Sequence, residues 1–304
     1  MDIVLFGAGR MAEKMLSLPM RDNCRIVKIC DNDSKKWGQK LKSIEIVNPK
    51  ELLQLSFDYV LLSMGTHQID VKEQLIAMGI PREKIRLPFA VSALAYCESP
   101  LDDIFAVKKK APKKFQKGIA KINPDFQGET YKTRKRRERE GFFDKYCQGE
   151  GLDIGYGGDL VVPGCSGWDL ENGDAQYLAS IEDESFDFVY SSHCLEHMTN
   201  VRTALKNWFR VVRRGGYLII AVPHRDLYEK RKELPSRWNG DHKHMFLLGK
   251  AEAPDTLDIE EEIRESLTDY ELCYSKVCDE GHTITDPLQH SDGEYQIELV
   301  LRKK

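Results

Sequence analysis

The sequence predicts an α/β protein made of two doubly wound, largely parallel sheets, and three observations carry that prediction. Short apolar runs end twice in glycine-rich turns, at Gly7-Ala-Gly9 and at Gly155-Tyr-Gly157. Each turn is followed by further apolar runs alternating with helix-length segments, the pattern of strand-helix-strand units. The chain of 304 residues is long enough for two separate cores.

Asp2-Ile-Val-Leu-Phe6 reads as a buried parallel strand, and Gly7-Ala-Gly9-Arg-Met-Ala12 as a tight turn opening a helix. Glycines there permit close approach of a phosphate, which backbone amides can receive. Gly7, Gly9, Arg10 and Met11 are therefore candidate nucleotide contacts. Arg25 to Cys30 is the next strand, and Asp31 at its end stands where a dinucleotide fold places the acid that holds a ribose. Asn48-Pro49 reads as N-cap and first helical residue, Tyr59 to Leu62 as a strand, and Ile69 to Met78 as a helix closed by Gly79. This is a Rossmann-like beginning, although some 90 residues are short for a full dinucleotide site.

The second beginning is at Gly151-Leu-Asp-Ile-Gly-Tyr-Gly157, with Asp153 ahead of the turn. Ser166-Gly-Trp-Asp169 is a short strand ending in an acid, followed by Gly173-Asp174-Ala175. Ser185 to His193 supplies a strand, and Cys194-Leu-Glu-His197 is expected to begin a helix running toward Arg213. Gly215 to Pro223 gives a turn and a strand. Tyr270 to Tyr274 and Glu294 to Leu301 close the domain as an antiparallel hairpin. The expected division is a module over 1–98, a basic linker and lead-in helix over 99–140, and a second domain over 141–304.

Composition excludes other classes. Apolar residues make up 41% and charged residues 31%, which rules out disordered and collagen-like chains. No stretch reaches the roughly 18 apolar residues of a membrane span, and the start lacks signal-peptide features, so a cytoplasmic location is expected. Eight cysteines, Cys97 among them, show no C-x-x-C pair, as reduced thiols do.

The net charge of −4 conceals an asymmetry. Residues 108–139 hold 13 Lys or Arg against three acids, a net of +10, and the remaining 32 basic and 46 acidic residues give −14. Three readings stand for this run: an exposed linker continuing into a solvated helix face at Arg134 to Glu140, a steering surface for an anionic substrate, or a nucleic-acid or membrane contact. The last is disfavoured, because acidic domains flank the run.

Residues 1 to about 90 resemble the small Rossmann-like modules of bacterial surface-sugar biosynthesis enzymes, including the N-terminal domains of sugar acetyltransferases. The resemblance rests on Phe6-Gly-Ala-Gly9, Asp31-Asn-Asp33 with Lys36-Trp-Gly38, and Gly79-Ile-Pro81 before Lys84-Ile85. It implies a nucleotide or nucleotide-sugar rather than hydride chemistry. The ordered motifs from about 150 to 304 resemble the class I S-adenosylmethionine-dependent methyltransferases. That resemblance makes Asp153, Gly155, Tyr156 and Gly157 the cradle of the methionine part of the donor, with Tyr156 the nearest aromatic face for a sulfonium. It makes Asp169 the ribose acid, Asp174 and Ala175 the adenine contacts, and Ser192 a further cofactor contact. Asp159 stands where the family has its third glycine, and the short spacings imply that the usual first two helices and third strand are shortened or missing.

A methyltransferase must align an acceptor lone pair behind the methyl and exclude water. A hydroxyl acceptor gains from a base, and His193 and His224 both follow strand carboxyl ends. His197 reads as structural. The polar insertion after His224 offers Arg225, Tyr228, Arg237, Trp238, Asp241, His242 and His244 to a sugar or phosphate acceptor. No metal is expected, since Asp241, His242 and His244 lack a ligand spacing and near neighbours in sequence rarely converge. The partner expected is a small-molecule or glycan acceptor of anionic character. A NAD-dependent sugar oxidoreductase, a non-enzymatic nucleotide-binding scaffold and a methyltransferase of another metabolite are the alternatives.

Overall fold

The computed structural model describes residues 1–65, 67–87, 91, 93–96, 99–123, 125 and 127–304. Cys97 and Glu98, where the expected first domain ends, lie outside the described residues. The chain divides into two compact units, Met1–Lys110 with Pro235–Asp241, and Ala111–Leu234 with His242–Lys304.

In the first unit, strands β1 (Asp2–Phe6), β2 (Arg25–Cys30), β3 (Lys40–Leu41), β4 (Ile44–Val47), β5 (Tyr59–Leu62) and β6 (Ile85–Arg86) form one sheet in the order β3-β4-β2-β1-β5-β6. All pair in parallel except the β3–β4 hairpin. Helices α1 (Arg10–Met15) and α2 (Gln68–Ala77) are its α-helices among the described residues. Pro49–Gln54 is a 3₁₀ helix rather than an α-helix, with the Asn48 side chain accepting from the Lys50 amide as the N-cap. Both faces of β1 are buried, Ile3 and Leu5 in one core and Val4 and Phe6 in another, so the run of apolar residues is continuous rather than alternating.

The second unit begins with three short helices, α3 (Glu129–Lys132), α4 (Arg134–Arg139) and α5 (Phe142–Tyr146). Strands β7 (Gly151–Ile154), β8 (Ser166–Trp168), β9 (Phe186–Ser192) and β10 (Val212–Pro223) follow, then the small parallel pair β11 (Met245–Leu247) and β12 (Thr256–Asp258), and finally β13 (Tyr270–Cys278) and β14 (Gln296–Lys303). The main sheet runs β13-β14-β10-β9-β7-β8, parallel throughout except for β14, which lies antiparallel between β10 and β13. β8 is the outer strand, and Gly118 and Ile119 of the lead-in segment bond along it, Gly118 N to Ser166 Oγ at 2.8 Å and Gly167 N to Ile119 O at 3.1 Å.

Two expectations are corrected here. No α-helix starts at Cys194. Leu195–His197 is a single 3₁₀ turn, and α6 (Val201–Arg210) starts afresh because Asn200 caps it by accepting from the Thr203 amide at 2.9 Å. Helix α6 then buries Val201, Ala204, Leu205, Trp208 and Phe209, a stripe with helical spacing. Nor is Arg134 to Glu140 solvated throughout: Lys135, Glu138, Arg139 and Glu140 are exposed, but two of its arginines are not. Arg136 and Arg137 on α4 are buried with Glu298 of β14, at 2.7 and 2.5 Å, and Arg136 also reaches Glu294 at 2.9 Å. Charge density alone cannot distinguish solvated arginines from arginines committed to buried carboxylates 160 residues away.

Candidate active site

The turn after β7 is shaped for a ligand. Gly155 and Gly157 are exposed and have φ of +73° and +57°. A Cβ on Gly155 would lie 2.8 Å from Cys194 Sγ, so only glycine fits this cradle. Asp153 lies beneath it, fully buried, with Oδ2 accepting from the Val161 amide at 2.7 Å. Burial drives its carboxyl well above the usual range against the effect of that amide. Its place is in support of the turn. The Tyr156 ring lies against Gly167, and its hydroxyl accepts from the Lys121 amide at 2.9 Å, so its face is occupied by packing. Asp159, at the position of the missing glycine, has a structural use. Its Oδ2 accepts from the Gly128 and Tyr131 amides, both at 3.1 Å, and so caps the start of α3.

Asp169 ends β8 in a capping box, its Oδ1 accepting from Leu170 N at 2.7 Å while Asn172 accepts from Asp169 N at 3.0 Å. Asp174 is exposed and folds the next turn by accepting from Gln176 N at 2.8 Å. Ala175 is held from below, where its carbonyl accepts from Trp208 Nε1 of α6 at 2.8 Å.

His193 follows half-buried Ser192 at the carboxyl end of β9, in a left-handed conformation at φ +50° that holds its ring out of the sheet. Its Nε2 lies 3.2 Å from Gln296 Oε1. Gln296 Nε2 donates to Glu298 Oε1 at 2.7 Å, which turns the amide oxygen toward the imidazole. Nε2 therefore carries the hydrogen, and Nδ1 is the basic nitrogen. The ring stands edge-on to Tyr228 and Tyr295, with centroids at 6.3 and 5.9 Å. Glu129 of α3, a residue the sequence reading missed, accepts from the Tyr295 hydroxyl at 2.7 Å and from Lys132 at 3.0 Å. Burial works to raise its carboxyl, but neighbouring His193, Lys132 and Tyr295 hold it below its usual value. An anionic carboxylate beside an imidazole favours the imidazolium formed when that ring takes a proton.

His224 is used differently. Its Nδ1 accepts from the Asp226 amide at 3.2 Å, capping helix α7 (Arg225–Tyr228), and burial lowers its basicity. Arg225 is buried against Glu252 at 2.6 Å and Asp226 at 2.8 Å, and Tyr228 is buried among aromatic rings. His242 stacks near Tyr228 at 5.5 Å, and His244 is half-buried, with its basicity lowered by burial. Arg237, Trp238 and Asp241 belong to the first unit. There Arg237 pairs with Asp70 at 2.9 Å, Trp238 meets His67 edge-on, and the Asp241 amide donates to Asn239 at 3.2 Å.

The first unit has its own cavity of about 720 Å³, and Gly7, Gly9, Arg10, Met11 and Asp31 all line it, with Lys36. Asp31 accepts from the Ala8 amide at 2.7 Å, Lys36 Nζ at 2.8 Å and the Asp33 amide at 2.8 Å. Burial opposes these contacts, yet they keep its carboxyl below the usual value. The acid thus clamps the glycine turn as well as facing the cavity.

The sheet order, the glycine turn after β7 and the closing antiparallel hairpin define the second unit as a class I methyltransferase fold. Residues 152–220 match the family model described as a methyltransferase domain, and the enzyme is an S-adenosylmethionine-dependent methyltransferase. Residues 1–86 match a second model, described as C2185-like, N-terminal. No curated protein matches the chain. Among solved structures it is similar to an S-adenosylmethionine-dependent methyltransferase of Thermotoga maritima described as a possible histamine N-methyltransferase. Identity there is 15% over 58% of this chain and 99% of that one, with a TM-score of 0.33. It is also similar to an S-adenosylmethionine-dependent methyltransferase of Archaeoglobus fulgidus, at 15% identity over 56% and 94% of the two chains, with a TM-score of 0.34.

Proposed function

We propose that this enzyme transfers the methyl group of S-adenosylmethionine to a hydroxyl of a sugar or sugar-phosphate, with His193 as the base. The observation that carries the reading is the Glu298–Gln296–His193 relay, which fixes the ring's tautomer beside anionic Glu129. Bound at the β7 turn, the sulfonium supplies a methyl already activated for displacement. Gly155 and Gly157 would receive its methionine part, Asp169 its ribose hydroxyls, and Asp174 and Ala175 its adenine, with Asp153 holding the turn. His193 Nδ1 takes the acceptor hydroxyl proton, Glu129 stabilises the resulting imidazolium, and Tyr228 and Tyr295 keep water from it. His224 is the weaker candidate, since its Nδ1 is engaged in a cap.

In the first unit, a nucleotide or nucleotide-sugar in the Gly7–Asp31 cavity suits the Arg10 and Lys36 cations lining it. That reading, the sugar acceptor and a cytoplasmic setting for surface-polysaccharide synthesis rest on the resemblance of residues 1 to about 90. The test is His193→Gln. Turnover should fall about 10²- to 10⁴-fold with donor affinity by calorimetry unchanged. Undiminished turnover on every hydroxyl acceptor the parent enzyme methylates would remove His193 from the role.

A further inference from the structure

Beyond the His193 centre, the second unit buries a group of side chains that methyl transfer does not use. Glu196, in the 3₁₀ turn after β9, is fully buried, and neither of its carboxylate oxygens has a hydrogen-bond partner among the described residues. Two imidazole nitrogens, His197 Nε2 and His242 Nε2, each lie 3.8 Å from Glu196 Oε1 and so beyond hydrogen-bond reach. His242 is itself buried, and its Nδ1 lies 2.7 Å from Oε1 of Glu229, a second buried carboxylate whose Oε2 has no partner among the described residues. The two histidine rings stand edge-on at 4.9 Å.

These contacts impose a polarity. An Nδ1–H donated to Glu229 leaves Nε2 of His242 with a lone pair directed toward the Glu196 carboxylate. A lone pair facing a buried, unpartnered carboxylate is unfavourable unless a positive charge lies between them. Protonating His242 would supply one charge against two carboxylates, and at 3.8 Å it would still give Glu196 no hydrogen bond. A divalent cation would supply both charges and take the lone pairs. The candidate donor atoms of Glu196, His197 and His242 all lie within 4.8 Å of one another. Ligands at roughly 2.1 Å from a shared ion stand about 3 to 3.4 Å apart, so the two Glu196–histidine separations of 3.8 Å must close by about half an ångström, and any pair at the 4.8 Å limit by about 1.5 Å.

We propose that Glu196, His197 and His242 form a binding site for a divalent first-row transition ion, with Glu229 as the carboxylate that orients His242. Two imidazoles and one carboxylate select zinc, manganese, iron or cobalt over calcium and magnesium, which prefer oxygen donors. Three protein ligands leave open positions, as in catalytic rather than structural metal sites. Tyr228 links this site to His193, packing against His242 at 5.5 Å and His193 at 6.3 Å, so the site borders the proposed acceptor region. An acceptor oxygen taking one of the open positions is the one part that rests on the methyl-transfer reading. The expectation of no metal, drawn from Asp241, His242 and His244, considered only neighbours in sequence, whereas this site takes two ligands from a separate turn.

The full chain, stripped with chelator and dialysed, is titrated with cobalt chloride and followed by its visible d–d absorption. One cobalt per chain is expected, displaced by zinc. Glu196→Gln and His197→Ala should each abolish the band, and Glu229→Gln should weaken cobalt affinity 10- to 100-fold. Circular dichroism and donor binding show whether each variant is folded, and half-exposed His197 is the substitution the fold tolerates best. Absence of a stoichiometric band in the unsubstituted protein, or equal uptake by folded His197→Ala, overturns the proposal. Uptake is read without turnover, so its failure leaves methyl transfer standing.

Discussion

Replacing Glu298 by alanine tests the centre of the second unit. The carboxylate is fully buried, and its Oε1 receives Arg137 Nε at 2.9 Å and Nη2 at 2.5 Å, Arg136 Nη2 at 2.7 Å and Gln296 Nε2 at 2.7 Å. The two arginines do not suffer equally. Arg136 keeps Glu294 and Glu140, both at 2.9 Å, whereas among the described residues Arg137 has only the Tyr190 hydroxyl left, at 2.7 Å. Leaving a buried charge without its partner costs about 3 to 5 kcal/mol, and the orphaned Gln296 amide places this case toward the upper figure. For a unit of this size, that lowers the melting temperature by roughly 10 to 20 °C. Urea denaturation followed by tryptophan fluorescence measures the loss, with the slope held constant. A change below about 1 kcal/mol would refute the reasoning, since Arg137 would then have found water or another acceptor. Glu298→Gln should be milder and still impair turnover, because the amide can no longer dictate which way Gln296 faces His193.

Other outcomes follow from the same contacts. Asp169→Ala should weaken S-adenosylmethionine binding by about tenfold or more through loss of charge-assisted hydrogen bonds, and unchanged affinity by calorimetry would misplace the ribose acid. Gly155→Ala should impair donor binding more than Gly164→Ala. Both positions have positive φ, but only Gly155 has Cys194 Sγ within 2.8 Å of an added Cβ. His224 and His244 have basicities lowered by burial from an ordinary value of 6.5, so both are held neutral in the fold. Their contribution is present above that value and is lost as pH falls through it toward their folded pKa values, because the unfolded chain then binds the protons. Unfolding free energies between about pH 7.5 and 5.5 should decline accordingly, and His244→Asn should flatten part of the decline.

The strands were legible because buried parallel strands are continuous apolar runs, and β1, β5, β7 and β9 all read that way in sequence. Of the hairpin, β14 is a mainly apolar run, whereas β13 is largely exposed and was legible from the methyltransferase resemblance. The short spacings from Gly157 to Asp169 and from Asp169 to Asp174 implied that the early helices and third strand are shortened or missing, and β8 is the outer strand of the sheet. The helix expected at Cys194 failed because a local N-cap, Asn200, outweighed an apolar pattern that continued across it. Arg136 and Arg137 looked like solvated charge because their partners, Glu294 and Glu298, are distant in the chain. Glu129 was invisible for the same reason. Nothing adjacent in sequence marks it, and only the approach of α3 to Tyr295 and His193 gives it chemistry. His193 was legible from its place at a strand end, but its tautomer was not, because that depends on Gln296.

The pairing of Arg136 with Glu298 spans 162 residues. During ribosomal synthesis the two arginines emerge long before β14, so α4 must remain undocked, with its cationic side chains in water, until nearly the whole second unit has been made. Closing so large a loop places the decisive step late and makes folding slow relative to helix-rich domains of similar size. Through that interval β10 has no partner on the side β14 will occupy, and its apolar edge is open to other chains. A nascent chain stalled anywhere between β10 and β14 would therefore be a substrate for chaperones rather than a partly working enzyme.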